Sequence, residues 1–176
     1  MISFGYYKAK IFSKLFHNHE YMIDFFRKQG MEIGQNCHIY SNIVTPESYL
    51  IRIGSNVTFS NSIQLLTHDN SLEKLKIGYS DSFGVIEIGN NCFIGAHCII
   101  MGGVKIGDNT IVGAGSVVTK SFPINSVIGG NPARLICSVD ELKVKVKNRF
   151  NISIDGLNAE QKRNLLISNR ENFIKR

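Results

Sequence analysis

The chain has no tryptophan, only three prolines and four cysteines, and no long uninterrupted apolar run. Each shortage excludes something. A bilayer-spanning helix needs about twenty consecutive apolar residues, and no segment supplies them. Near the N-terminus Lys8, Lys10 and Lys14 break up the apolar residues, so no secretory leader is read there and a cytoplasmic protein is expected. Cys37, Cys92, Cys98 and Cys137 form no CxxC pair, which leaves neither a zinc nor a redox motif. No interleaving of aromatic and basic residues suggests nucleic acid as a partner. The net charge of +6 is unevenly spread. Residues 31–138 are nearly neutral, while residues 1–30 and 139–176 are both basic. Basic flanks suit a solubilising surface, an anionic glycan or proximity to a membrane surface.

Glycine, at sixteen residues, is plentiful, and it falls into a pattern. Aliphatic or aromatic residues recur every six positions: Ile33 and Ile39; Ile53, Phe59 and Leu65; then Ile88, Ile94, Ile100, Ile106, Val112, Val118 and Ile124. Glycine follows directly at positions 34, 54, 89, 95, 107 and 113. Four residues after each aliphatic stands a mostly small or β-branched residue, among them Cys37, Cys92, Cys98, Thr110 and Ser116, with Phe122 as the large exception. A six-residue period fits neither an ordinary helix nor an ordinary strand. It fits a parallel β-helix, in which three hexads make one triangular coil of eighteen residues. Glycine is expected to permit the turns. Three of the four cysteines then become packing residues.

Two interruptions stand out. Ile33 and Ile53 are two residues further apart than one coil, and Pro46 marks the excess. Ile53 and Ile88 are one residue short of two coils apart, and residues 71–85 do not fit the pattern. Part of that stretch reads as a loop leaving the prism after Asn70, giving a protruding loop at about 69–85. At the start, Phe4, Tyr7, Ile11 and Leu15, then Met22, Ile23 and Phe26, have roughly helical spacing. They predict one or two amphipathic helices capping the open coil, within an N-terminal cap of residues 1–30. After a β-helix domain of residues 31–138, residues 139–176 read as a helical extension, with Asn158 as N-cap of a helix through 159–174.

The hexads, the loop after Thr67-His68-Asp69, the stretch IGDNTIVGAGSVVTK (106–120) and the ending GGNPARLI (129–136) resemble the hexapeptide-repeat acyltransferases. Within that family the likeness is to sugar and polysaccharide O-acetyltransferases, with galactoside and maltose acetyltransferases as relatives. It covers about residues 31–138. The resemblance implies a left-handed parallel β-helix, a homotrimer with active sites between subunits, acetyl-CoA as donor and a sugar or glycan as acceptor.

The resemblance also assigns residues. His68 matches the catalytic histidine of the galactoside acetyltransferases, and an imidazole is the natural base near neutral pH. Ala96, Gly113, Ala114, Thr119, Lys120 and Arg134 match positions along the coenzyme A groove. Lys120 and Arg134 suit its phosphates in charge. Asn42 lies where relatives carry an acceptor-side asparagine. Asp69 either orients the imidazole or makes an Asx turn. His97 faces a prism surface or an interface, within reach of donor or acceptor. Other readings of the same fold are an antibiotic-modifying acetyltransferase, a metal enzyme and a non-catalytic trimeric scaffold. The metal enzyme is disfavoured because Gly102 stands where a further histidine ligand is needed.

Overall fold

The structure, a computed structural model, describes residues 4–15, 19–41, 43, 45–147 and 151–173. The chain divides into two compact units, residues 1–139 and residues 140–176.

The first unit is the coiled prism that the hexads predict. Its first face is a parallel sheet of Glu32–Ile33, Ile51–Ile53, Ile86–Ile88 and Lys105–Ile106. The second stacks His38–Ile39, Thr58–Phe59, Phe93–Ile94, Ile111–Val112 and Ser126–Gly129. The third stacks Gln64–Leu66, Ile99–Met101 and Val117–Val118. The strands are two to four residues long, because each must end at a corner of the prism. No strand is stable alone. Each gains its backbone partners from the coils above and below, as when Gly95 N–H donates to the Val112 carbonyl and Gly113 N–H to that of Ile128.

The hexad residues fill the interior. Phe59, Ile94, Ile100, Ile106, Val112 and Val118 have no exposed surface, and the small positions Cys98, Thr110 and Ser116 are equally enclosed. The glycines serve a different purpose from the one expected. None of Gly34, Gly54, Gly89, Gly95, Gly107 and Gly113 has a positive φ. At five of the six the next coil passes too close for a side chain: a Cβ on Gly95 would lie 2.5 Å from the Ala114 backbone nitrogen, and one on Gly54 2.7 Å from the Gly89 carbonyl carbon. Many of the left-handed turns fall instead to asparagine, with Ser62, His97, Gly103 and Gly115 taking others. Asn36, Asn56, Asn91, Asn109 and Asn125 all have φ between 55 and 60°, a region asparagine tolerates better than most residues. Their side chains form a ladder, with Asn56 Nδ2 donating to Asn91 Oδ1 (2.8 Å) and Asn91 Nδ2 to Asn109 Oδ1 (3.2 Å).

Two further expectations are corrected. Ile124 does not continue the inward register; it is 66% exposed. The last coil is two residues short, so Ile106 bridges Phe122 and Val112 pairs with Ile128. The chain then turns back as Arg134–Ser138, antiparallel to Ser126–Gly129, and ends the regular coils. Ile53 and Ile88 are neighbours on adjacent coils, not two coils apart. The 35-residue separation there, against 18 in the next coil, is taken up by the excursion of residues 69–85.

Before the prism come α1 (Phe4–Leu15) and α2 (Glu20–Lys28). α2 buries Met22, Ile23 and Phe26 in the core. Arg27 fastens it to the first coil by donating from Nε to the Ile33 carbonyl (3.1 Å) and from Nη2 to that of Gly34 (2.7 Å). α1 departs from the expected orientation: Phe4, Tyr7, Ile11 and Leu15 point outward, and Tyr6 is its buried residue. The excursion carries one helical turn, α3 (Leu72–Leu75). At the boundary of the units α4 (Val139–Lys147) begins, and α5 (Ala159–Ser168) lies within the second unit. Asn158 caps α5 in a reciprocal box with Gln161, as the sequence predicts. The helix ends at Ser168, with a 3-10 turn at Arg170–Asn172.

Ile100 sits at the centre of the third face, paired with both neighbouring coils and fully enclosed. Ile100→Ala should destabilise the protein by about 2–5 kcal/mol, read as a lowered midpoint in denaturant unfolding.

Candidate active site

Both irregular coils reach the same corner of the prism, the one between its third and first faces. In the first coil the two extra residues fall between Ile39 and Ile53, where Pro46 and Glu47 turn before a 3-10 segment at Ser48–Leu50. In the second coil the chain leaves the third face through Thr67 and His68 and returns through Ser82 and Phe83. His68–Asp69 and Ser82–Phe83 pair antiparallel, a small two-stranded platform outside the prism. Gly84 pins its base: its N–H donates to the Thr67 carbonyl (2.9 Å), and a Cβ there would collide with the Gly102–Gly103 backbone.

Glu47 and His68 meet at this corner. Glu47 Oε2 lies 2.9 Å from His68 Nδ1 and accepts a second hydrogen bond from Thr67 Oγ1 at 2.6 Å. Since the Thr67 hydroxyl donates to the carboxylate, the Thr45 hydroxyl at 2.9 Å donates to Thr67. Thr67 is buried, and Glu47 is only 13% exposed. The carboxylate is therefore held from beneath while the imidazole, 35% exposed, faces outward. Hydrogen bonding to Thr67, then to His68, holds the Glu47 carboxyl below its usual range. The Glu47 hydrogen bond raises the His68 pKa, with smaller contributions from the Asp81 and Asp69 charges. A carboxylate on Nδ1 also selects the tautomer with the proton there, leaving the Nε2 lone pair to accept a proton.

The imidazole opens into a pocket of about 340 Å³. Leu66, Phe83 and Met101 supply apolar walls, Gly102 and Gly103 a low floor, and Thr119 a hydroxyl. The Phe83 ring lies 5.9 Å from the imidazole and is 60% exposed.

Of the residues expected to form the site, His68, Asp69 and Thr119 line this pocket together. Asp69 resolves as the Asx turn, its Oδ1 accepting from the Ser71 N–H at 2.8 Å; the orienting carboxylate is Glu47. Lys120 is at the same corner but exposed, with Nζ 5.6 Å from the Phe122 ring centroid. Ala96, His97, Gly113 and Ala114 sit at the preceding corner, between the second and third faces. There Ala96 and Gly115 stack through a backbone hydrogen bond, and His97 occupies the left-handed turn position with φ 59°. Arg134 is exposed at the start of the returning strand of the terminal hairpin, donating from Nη1 to the Ala133 carbonyl. Asn42 lies outside the described residues. Among the described residues no three His, Cys, Asp or Glu side chains gather as a metal site.

A left-handed parallel β-helix bearing a histidine–carboxylate pair at one corner, the histidine at the base of an ejected loop, fits a hexapeptide-type transferase. The bacterial transferase hexapeptide (six repeats) family matches residues 86–120. The Staphylococcus aureus protein CapG is 44% identical over 128 residues, covering 70% of this chain and 74% of CapG. The chain belongs to the hexapeptide-repeat transferase family. Among solved structures, a maltose O-acetyltransferase from Clostridium difficile aligns with a TM-score of 0.58 and 28% identity, over 76% of this chain and 86% of that one. A hexapeptide-repeat acetyltransferase from Vibrio cholerae, complexed with acetyl-CoA, aligns with a TM-score of 0.55 and 29% identity, over 62% of this chain and 60% of that one.

The His68 imidazole should titrate above the ordinary value of about 6.5. In Glu47→Gln, which keeps the shape and removes the charge, its pKa should fall. A proton-detected histidine titration of both proteins checks this.

Proposed function

We propose that this acyltransferase moves an acetyl group from acetyl-CoA to a sugar hydroxyl, in a surface polysaccharide or its precursor, with His68 as general base. One observation carries the reading: an imidazole fixed by a buried carboxylate at Nδ1 beside an open pocket. That arrangement is built to accept a proton at Nε2 from a group delivered from outside.

The acceptor hydroxyl gives its proton to His68 as its oxygen attacks the thioester carbonyl. The carbon–oxygen bond forms, the carbon–sulfur bond breaks, and the departing thiolate takes the proton back from the imidazolium. Glu47 keeps the ring in one tautomer and balances its positive charge while it holds the proton. No acetyl-enzyme is required: Ser82 lines the pocket, on the strand paired with His68–Asp69, but direct attack by the acceptor oxygen accounts for transfer without it. A sugar suits the pocket, which offers the flat Phe83 ring for a pyranose face and polar groups for its hydroxyls. The relative named for maltose O-acetylation supports the same class.

Small residues suit the donor. Gly102, Gly103, Ala96, Gly113 and Ala114 leave room for a narrow pantetheine arm, and Lys120 and Arg134 supply exposed cations for its phosphates. Ala96 and Ala114 stand one corner away from His68, so a donor lying along them reaches His68 across the boundary between two copies. A homotrimer with its active sites between subunits supplies that arrangement. Free, buried cysteines agree with a cytoplasmic setting.

Thiol release from acetyl-CoA should depend on a sugar or glycan acceptor. His68→Ala should slow it by about 10²–10⁴-fold, the worth of a general base. Release that is unaffected by the substitution would remove His68 from the mechanism, and release triggered only by an antibiotic would move the acceptor class.

A further inference from the structure

α1 turns its less apolar side to the protein. Tyr6 is buried, Ala9 packs against the core and Ser13 is half-buried, all on one face of the helix. The opposite face carries Phe4, Tyr7, Ile11 and Leu15 at three- and four-residue spacing, exposed by 86, 53, 61 and 67%. A surface helix ordinarily does the reverse and hides its apolar stripe. This stripe is contiguous along a twelve-residue helix, about 18 Å long. An exposed row of this kind marks a surface that something covers.

Charge says what covers it. The first fifteen residues hold three lysines and no acidic residue. At 100° per residue Lys8 flanks the stripe on one side, and Lys10 lies beyond the other edge. Both are exposed, with Nζ drawn over the aromatic rings of Phe12 and Tyr6. An apolar row between cations fits a surface that is greasy inside and anionic at its rim. A second α1 would bring lysines against lysines. No described helix is long and apolar enough to cross a membrane, so contact would be in the plane of the interface.

We propose that α1 docks the protein on an anionic membrane surface, with Phe4, Tyr7, Ile11 and Leu15 inserted at the headgroup boundary and Lys8 and Lys10 against lipid phosphates. Docking of this kind holds the enzyme where membrane-linked acceptors are. The inference stands on α1 alone and does not depend on which hydroxyl is acetylated.

Flotation of the full chain with vesicles of phosphatidylcholine, with and without phosphatidylglycerol, tests it. Binding should need phosphatidylglycerol, exceed that to phosphatidylcholine by about tenfold or more, and weaken as salt is added. Ile11→Asn and the pair Lys8→Gln/Lys10→Gln should each lose most of the binding. Both should keep the wild-type melting temperature and thiol release with a soluble acceptor, since these side chains are exposed and remote from His68 in the sequence. The proposal is overturned if wild type ignores the anionic vesicles or if Ile11→Asn binds them as well as wild type does. It is also overturned if Ile11→Asn changes only the mass in light scattering, which would give the stripe to a second copy.

Discussion

Everything in the first unit depends on one contact, the stacking of each coil on the next. A two-residue strand has almost no stability of its own; it exists because the coils above and below complete its hydrogen bonds and cover its inward side chain. That requirement fixes the coil near eighteen residues and forces glycine where backbones approach within a side chain's reach. It also favours asparagine at many of the left-handed corners, with Ser62, His97, Gly103 and Gly115 at others. Extra residues cannot be absorbed inside such a stack. They are expelled at a corner, and the expelled segments are where the chain is free to carry chemistry.

The candidate active corner follows from two such expulsions. A two-residue excess in the first coil supplies Glu47, and the long excursion from the second supplies His68. Stacking sets Thr45 on Thr67, so the residues just beyond them meet although they are 21 positions apart. The pair therefore inherits its geometry from the scaffold: the coil covers all but 13% of the carboxylate, and the carboxylate aims the imidazole. This is positioning by a rigid element in place of a mobile loop.

The sequence made the prism legible because six-residue spacing has no other common structural explanation. His68 was singled out because it opens the one long interruption and matches the histidine of the family the chain resembles. Glu47 was not, since nothing local marks it; its signal was its place in the other irregular coil, one turn of the stack before His68. The role of glycine was misassigned because the recurring Ile-Gly-X-Asn tetrads at 33–36, 53–56, 88–91 and 106–109 held the left-handed residue at their fourth position, where asparagine is easily passed over. Ile124 kept the six-residue spacing by coincidence; Pro123 stands just before it, and the shortened coil moved Phe122 into its place beneath Ile106. The stripe on α1 was found by its spacing, but spacing alone does not say which face turns inward. Burial of Tyr6 decided that.

The central claim is that Glu47 acts only through His68. Kinetics of acetyl transfer by Glu47→Gln, His68→Ala and the double variant test it most directly. If the claim holds, Glu47→Gln slows wild type but costs nothing further once His68 is alanine, since the group it positions is gone. If the two losses multiply in the double variant, Glu47 has a separate role and the pair is not the unit of catalysis described here.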